Sequence, residues 1–485
     1  MLISIALKYL NIKFLFLLLF IIYDSKISAN VFEGYTLFTN GNAQGAATYL
    51  ISNDYEVINS WEHPTGVMSI TYLFPDSTLL VPLQVENPFM TSLGPEGGWF
   101  QKLDWYGNVI WEFYYYHQNF QPHHDIEPLT NGNFLVIGWE RKTEEAILNI
   151  GRVQTNGEFW LLKIVEIDPI GQDSGQIVWE WRIWDHLIQD VDSTLSNFGS
   201  ISDHPDLINV NLGNMPQDHH DWLHTNSIDY NEMYDQIVFS SRRLDEFFVI
   251  DHSTTTEQAT GDSGGISGKG GNILYRWGNP QNYERGTEND RMLNAQHGVN
   301  WVPINYPGEN NMLIFNNNPS GSSGGNSIVI ELVPPMEENG QYFISPGNAF
   351  GPPEYYWSFG GDSSFFSNIQ SGAFRLPNGN TIVTITEENY LFEVDSDLQI
   401  VWEYFLDTNP NLTGVTARAK KYVPNYFHFQ VGDINYNYEI ELFDLLLMVE
   451  IIYDNYTFLV NADLNQDGTI DEIDINLLIN QILQL

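Results

Sequence analysis

Apolar positions in this chain come in short runs broken by turns rich in Asn, Gly, Asp and Pro, the pattern of many short strands. One phrase recurs: an apolar strand, a turn, then a second strand closing on tryptophan. It runs over Tyr49–Trp61, Phe100–Trp111, Val165–Trp179, Phe247–Trp277, Ile328–Trp357 and Leu391–Trp402. The closing tryptophans are spaced by 50, 68, 98, 80 and 45 residues, so the unit varies in length but not in grammar. A second phrase, Asn-Gly between apolar strands, follows most of them, as at Asn131-Gly132 and Asn378-Gly379. Asn-Gly is a strong hairpin signal, so each unit reads as two hairpins. Six four-stranded units predict a mainly β fold, a six-bladed β-propeller.

The pattern changes at both ends. Lys8 and Lys13 precede the apolar run 14–23, and small residues follow towards Ala29, which predicts a secretory signal peptide over residues 1–29. The run is short for a membrane span, so no membrane span is expected once that segment is cleaved. The propeller is assigned to 30–429. Over 430–485 two apolar helices, 445–452 and 475–483, each follow a loop with oxygen donors at fixed spacing. The first loop offers Asp433, Asn435, Asn437, Glu441 and Asp444. The second offers Asp463, Asn465, Asp467, Asp471 and Asp474, with the Thr469 carbonyl. These are calcium-loop positions, and Gly468 stands where the second loop must turn sharply. Tyr438 holds that place in the first loop, which predicts a weaker site. Two Asp-closed loops 30 residues apart resemble a dockerin type I module, which implies bound Ca2+ and a cohesin domain as partner.

Composition narrows the partners. The chain has 485 residues, no cysteine, and 19 Lys+Arg against 62 Asp+Glu, a net charge of −43. A phosphate backbone would be repelled, which argues against nucleic acid. Disulfide and thiolate chemistry are excluded. Charged residues make only 17% against 43% hydrophobic, which excludes a disordered chain. With the signal segment, the expected location is secreted, extracellular or periplasmic.

Aligning the repeats puts Thr65, His124, His224, His297 and Ser371 at one phase, near one end of the innermost strands. Three histidines at that phase predict an imidazole cluster at the channel, suited to acid/base work, nucleophilic transfer or anion binding. Arg242, at a strand end after Ser240-Ser241, could clamp an anion, with a surface ion pair as the alternative. Asp218-His219-His220-Asp221 could hold a metal, with a polar loop as the alternative. Asn316-Asn317-Asn318 reads as a turn.

The phrases Asp221-Trp-Leu-His224-Thr-Asn226-Ser227 and Ser240-Ser241-Arg242 resemble the bacterial arylsulfotransferases. So do Gln296-His297-Gly298, Phe315-Asn316-Asn317 and the stretch from Arg418 to Tyr426, and the likeness spans roughly residues 100–427. That family is a six-bladed propeller. It moves a sulfuryl group from an aryl sulfate to a phenol through a transiently sulfated histidine, without the nucleotide donor PAPS. The resemblance implies that His224 and His297 donate hydrogen bonds to the sulfuryl group, and that Asn226 and Arg242 contact substrate. The family nucleophile is a last-blade histidine, but Thr386–Phe392 contains none, and the family arginine after the Asn-rich strand is also missing. His124 then becomes the candidate nucleophile. A propeller that binds a carbohydrate or sulfated ligand without turnover is the other reading, favoured by the missing histidine.

Overall fold

A computed structural model describes residues 31–485, apart from 87, 93, 214–219, 322–324, 362–363, 410–411, 413, 425, 427–431, 433, 435–439, 455–461, 463, 466–468 and 485. Six four-stranded antiparallel sheets follow one another as blades I–VI of a propeller. Blade II comprises Tyr72–Leu73, Leu79–Gln84, Gly97–Leu103 and Val109–Tyr114, and blade III Phe120–Pro128, Phe134–Lys142, Phe159–Ile170 and Ser174–Arg182. Blade IV comprises Thr225–Asn231, Gln236–Ser241, Glu246–Asp251 and Tyr275–Trp277. Blade V comprises His297–Trp301, Met312–Asn316, Ile328–Leu332 and Trp357–Gly360, and blade VI Gly372–Arg375, Thr381–Ile385, Tyr390–Val394 and Ile400–Phe405.

Blade I closes the ring. Its outer strands Tyr35–Asn42, Gly45–Ile51 and Val57–His63 come from the start of the fold, and its innermost strand, Ala419–Tyr422, comes from the other end. Ala419–Tyr422 pairs antiparallel with Tyr35–Phe38, so neither end leaves an open sheet edge at the axis.

All six Trp-closed phrases form the outer hairpins of successive blades. In blades II, III and VI one extra residue (Ile110, Val178, Val401) sits just before the tryptophan, a bulge that turns the indole toward the next blade. The core is distributed accordingly: six apolar clusters, each built mainly from two adjacent blades.

Beyond the propeller lie two helices, Leu442–Asp454 and Glu472–Gln484, each slightly longer than expected. They share a small core with Ile434, Met448, Leu478, Ile440 and Ile470. No helix among the described residues is long and apolar enough to cross a membrane.

Candidate functional site

The inner strands of blades III, IV and V are distorted where the histidines enter. Their pairing with the second strand slips between Pro122 and Ile126, between Thr225 and Ser227, and between His297 and Asn300. His124 and His224 adopt left-handed backbone (φ 57° and 50°), and Gly298 does so just after His297 (φ 61°). A bulge with a left-handed residue re-aims a side chain that a regular strand would send into a blade interface.

The three rings meet on the axis. The His124 and His224 centroids are 4.7 Å apart with the rings nearly perpendicular. His297 lies within electrostatic reach of both. Each ring is almost buried, yet each Nε2 bonds nothing in the protein and is open to solvent. The Nδ1 atoms are all engaged. His224 Nδ1 donates to Asp221 Oδ2 at 2.8 Å, and the His224 backbone N–H donates to Asp221 Oδ1 at 3.0 Å. His297 Nδ1 donates to Asn317 Oδ1 at 2.8 Å, while the Asn317 amide nitrogen is fixed by the Ser367 and Gln370 carbonyls. The Nδ1 atoms of His124 and His123 are 2.8 Å apart. His123 stacks flat on Trp139, and its Nε2 is buried without a partner. A bare acceptor is tolerated there better than an orphan N–H. We therefore assign the shared proton to His123 Nδ1, which leaves His124 carrying its proton on Nε2.

Burial pushes His123 and His297 down to about 3, with Arg242 adding to the effect at His297. Burial, then repulsion from His224 and His123, holds His124 well below the usual range. These three imidazoles are neutral at pH 7. Burial alone would raise Asp221, but the hydrogen bond and charge of His224, with His123 and Arg243, hold its carboxyl well below the usual range. Asp221 is an anion sealed against the cluster.

The expected roles shift with this geometry. His297, as a neutral ring with its Nδ1 proton spent on Asn317, offers a lone pair at Nε2 rather than a donor, and neutral His224 would do the same. His124 is the ring that offers an N–H. Arg242 is half-buried beside His297, and its guanidinium has no hydrogen-bond or ion-pair partner among the described residues. Asn226, expected to touch substrate, is instead buried and donates to the Gln296 carbonyl at 2.8 Å, tying the His224 strand to the His297 strand. Thr65 and Ser371, at the same repeat phase, bond to backbone: Thr65 to the Gln84 carbonyl, Ser371 to that of Ile369.

The sequence offered Asp221 as a possible metal ligand or part of a polar loop and Asn317 as part of a turn; in the structure each holds the Nδ1 of a site histidine. Asp221 sits three residues before His224, and that spacing was the available signal, whereas Asn317 lies 20 residues after His297 and no local spacing pointed to it. Asp221 is committed to His224. Asp218 and His219 lie outside the described residues, and among the described ones no three His, Asp or Glu side chains gather as a metal site.

Gly94 packs on the Cε1–Nε2 edge of His124, where an added Cβ would come within 2.4 Å. It also lines a cavity of about 410 Å³ with Thr39, Ser69, Gln84, Glu96 and Gln370, so the cavity shares a wall with the histidine cluster.

In the C-terminal module the closing carboxylates are buried and equivalent. Asp444 accepts from the backbone of Ile434 (2.7 Å) and Glu441 (2.8 Å). Asp474 accepts from Leu464 (2.8 Å), Asn465 (3.2 Å) and Asp471 (2.9 Å). With Glu441, Thr469 and Asp471 these are oxygen donors throughout, which fits a hard cation. Asp433, Asn435, Asn437, Asp463 and Asp467 lie outside the described residues.

Comparison with known proteins agrees with both parts. The family model Arylsulfotransferase (ASST) matches residues 90–402, and Dockerin type I domain matches 431–483. The first match runs from blade II to the closing tryptophan of blade VI. No curated protein matches. Among solved structures the chain is similar to a protein of unknown function from Bacteroides caccae, with 10% identity over 80% of this chain and 98% of that one, TM-score 0.42. It is also similar to a periplasmic gluconolactonase of Pseudomonas aeruginosa, with 12% identity over 81% and 99%, TM-score 0.40.

Proposed function

The chain belongs to the arylsulfotransferase family, and we propose that it transfers a sulfuryl group from an aryl sulfate to a phenolic acceptor at the mouth of the propeller. The observation that carries this reading is the meeting of three imidazoles, with free Nε2 atoms, beside an arginine that forms no salt bridge among the described residues. Arg242 feels the charge of Asp245, but that carboxylate is paired with Arg291, so the half-buried guanidinium is available to an incoming anion. Arg242 holds sulfate oxygens, and a bare imidazole nitrogen attacks sulfur. No nucleotide cofactor is required.

Two observations favour the alternative, a propeller that binds a sulfated ligand or carbohydrate without turnover. Blade VI contains no histidine, and the family arginine of blade V is absent. We further propose that the signal segment exports the chain, and that Asp433, Asn435, Asn437, Glu441 and Asp444, with the second loop's donors, hold Ca2+ and present the helices to a cohesin.

Release of nitrophenolate from 4-nitrophenyl sulfate, dependent on an added phenol, tests the reading. The wild type turns over. Arg242→Ala loses about 10–100-fold in kcat/KM, the worth of a charge-assisted contact. Saturable binding of the sulfate ester without release would establish the binding module instead.

A further inference from the structure

We infer that His224, backed by the buried carboxylate of Asp221, is the nucleophile of this chain. The assignment rests on the transfer reading above and replaces the histidine that blade VI lacks.

A ring that takes a sulfuryl group on Nε2 while keeping its Nδ1 proton becomes an imidazolium. The three candidates differ in what stands behind that charge. Behind His124 is His123, a neutral ring sealed against Trp139, which offers no counter-charge. Behind His297 is Asn317, a neutral amide locked by two carbonyls, and Arg242 beside it opposes positive charge. Behind His224 is a fully buried carboxylate at 2.8 Å. It also holds the His224 backbone N–H, and Arg243 bonds the Asp221 carbonyl, so the pair cannot turn away. In a low-dielectric site such an ion pair favours the charged ring far more than a neutral partner can.

The step balances without another reactant. The His224 Nε2 lone pair attacks sulfur and the sulfur–oxygen bond to the aryl group breaks. Its electron pair leaves on the aryloxide, which accepts a hydrogen bond from His124. The N-sulfo imidazolium is paired with Asp221. An acceptor phenol, its proton passing to water or to the departed aryloxide, then attacks sulfur through its oxygen, and the sulfur–nitrogen pair returns to Nε2. Asp221 touches no substrate and is a positioning residue.

The test is to mix the protein with 4-nitrophenyl sulfate without acceptor, quench in base, digest, and locate the mass of one SO3 group by peptide mass spectrometry. The expected result is the label on the peptide carrying His224. In Asp221→Asn the label should form at the same residue about 100-fold or more slowly, with partial rescue in Asp221→Glu. A label on His124 or His297 overturns the assignment and leaves sulfuryl transfer standing. Turnover with no labelled histidine also overturns it, in favour of direct transfer between two bound substrates. Neither label nor nitrophenolate release overturns the transfer reading itself.

Discussion

At the scale of single residues, identical side chains are sorted by what they touch. His252 has the same imidazole as the site histidines but the opposite electrostatics. It is clasped between Asp235 (2.6 Å) and Glu166 (3.0 Å). Burial would lower it, but the two carboxylates outweigh that and raise it to about 9. A histidine raised in the fold stabilises most below its unfolded pKa near 6.5, and that contribution fades as pH climbs through 9. The stability difference between wild type and His252→Gln should therefore shrink from on the order of 3 kcal/mol at pH 6 to near zero above pH 9. Urea melts across that range would measure it, and a pH-independent difference would refute it. Residue-level sorting was only partly legible in the sequence. Repeat phase found His124, His224 and His297, because phase is a property of the strand. It could not find Asp221, Asn317 or His123, because those contacts depend on bulges that alter which way a side chain points.

The recurring element is the outer hairpin, and its physics explains why a tryptophan ends it. Trp61 donates its indole N–H to the Asp104 carbonyl (3.0 Å), Trp111 to that of Ser174 (2.8 Å), and Trp179 to the Thr254 hydroxyl (3.2 Å). Trp277 reaches the Pro352 carbonyl (2.8 Å) and Trp402 that of Asn53 (2.9 Å). Every acceptor lies in the connection joining the two outer strands of the next blade or at the first residue after it, so each indole fills an interface and fastens it with one bond. Trp357 is the exception. Its N–H is buried without a partner, and the ring lies under Arg375 instead. Phenylalanine should therefore be tolerated at 357, whereas Trp111→Phe and Trp402→Phe should each cost about 1 kcal/mol more, read as lower urea midpoints with unchanged slope. Equal costs at all three would sink the stitch. This grammar was legible because a large side chain with a polar tip must recur wherever blades are joined. The variable loops hid only its period.

At the scale of the whole molecule, six blades must be held around an axis by a chain poor in cations. Few basic residues are spent on the surface charge. Lys421 pairs with Glu393 (2.6 Å) and Arg375 with Glu331, each joining neighbouring blades out of solvent. Arg418 does this at the centre. From blade I it reaches Asp125 of blade III (2.5 Å) and Ser69 (2.6 Å), a residue just ahead of blade II. Its stem occupies the space beside Gly372 of blade VI and Gly298 of blade V, and Asp125 also accepts from the Ile228 backbone of blade IV (3.2 Å). One ion pair thus touches the inner wall on every side, one short step along the strand from the histidines. The sequence offered Arg418 only as part of a familiar ending, since nothing along the chain links it to Asp125. Arg418→Met should cost about 3–5 kcal/mol, because it strands a buried carboxylate, whereas Arg418→Met with Asp125→Leu should recover most of that loss. Chemical unfolding of the two variants, followed by tryptophan fluorescence, separates the outcomes. A double variant no more stable than the single one would mean that the pair fixes blade geometry through its hydrogen bonds and that charge burial is secondary.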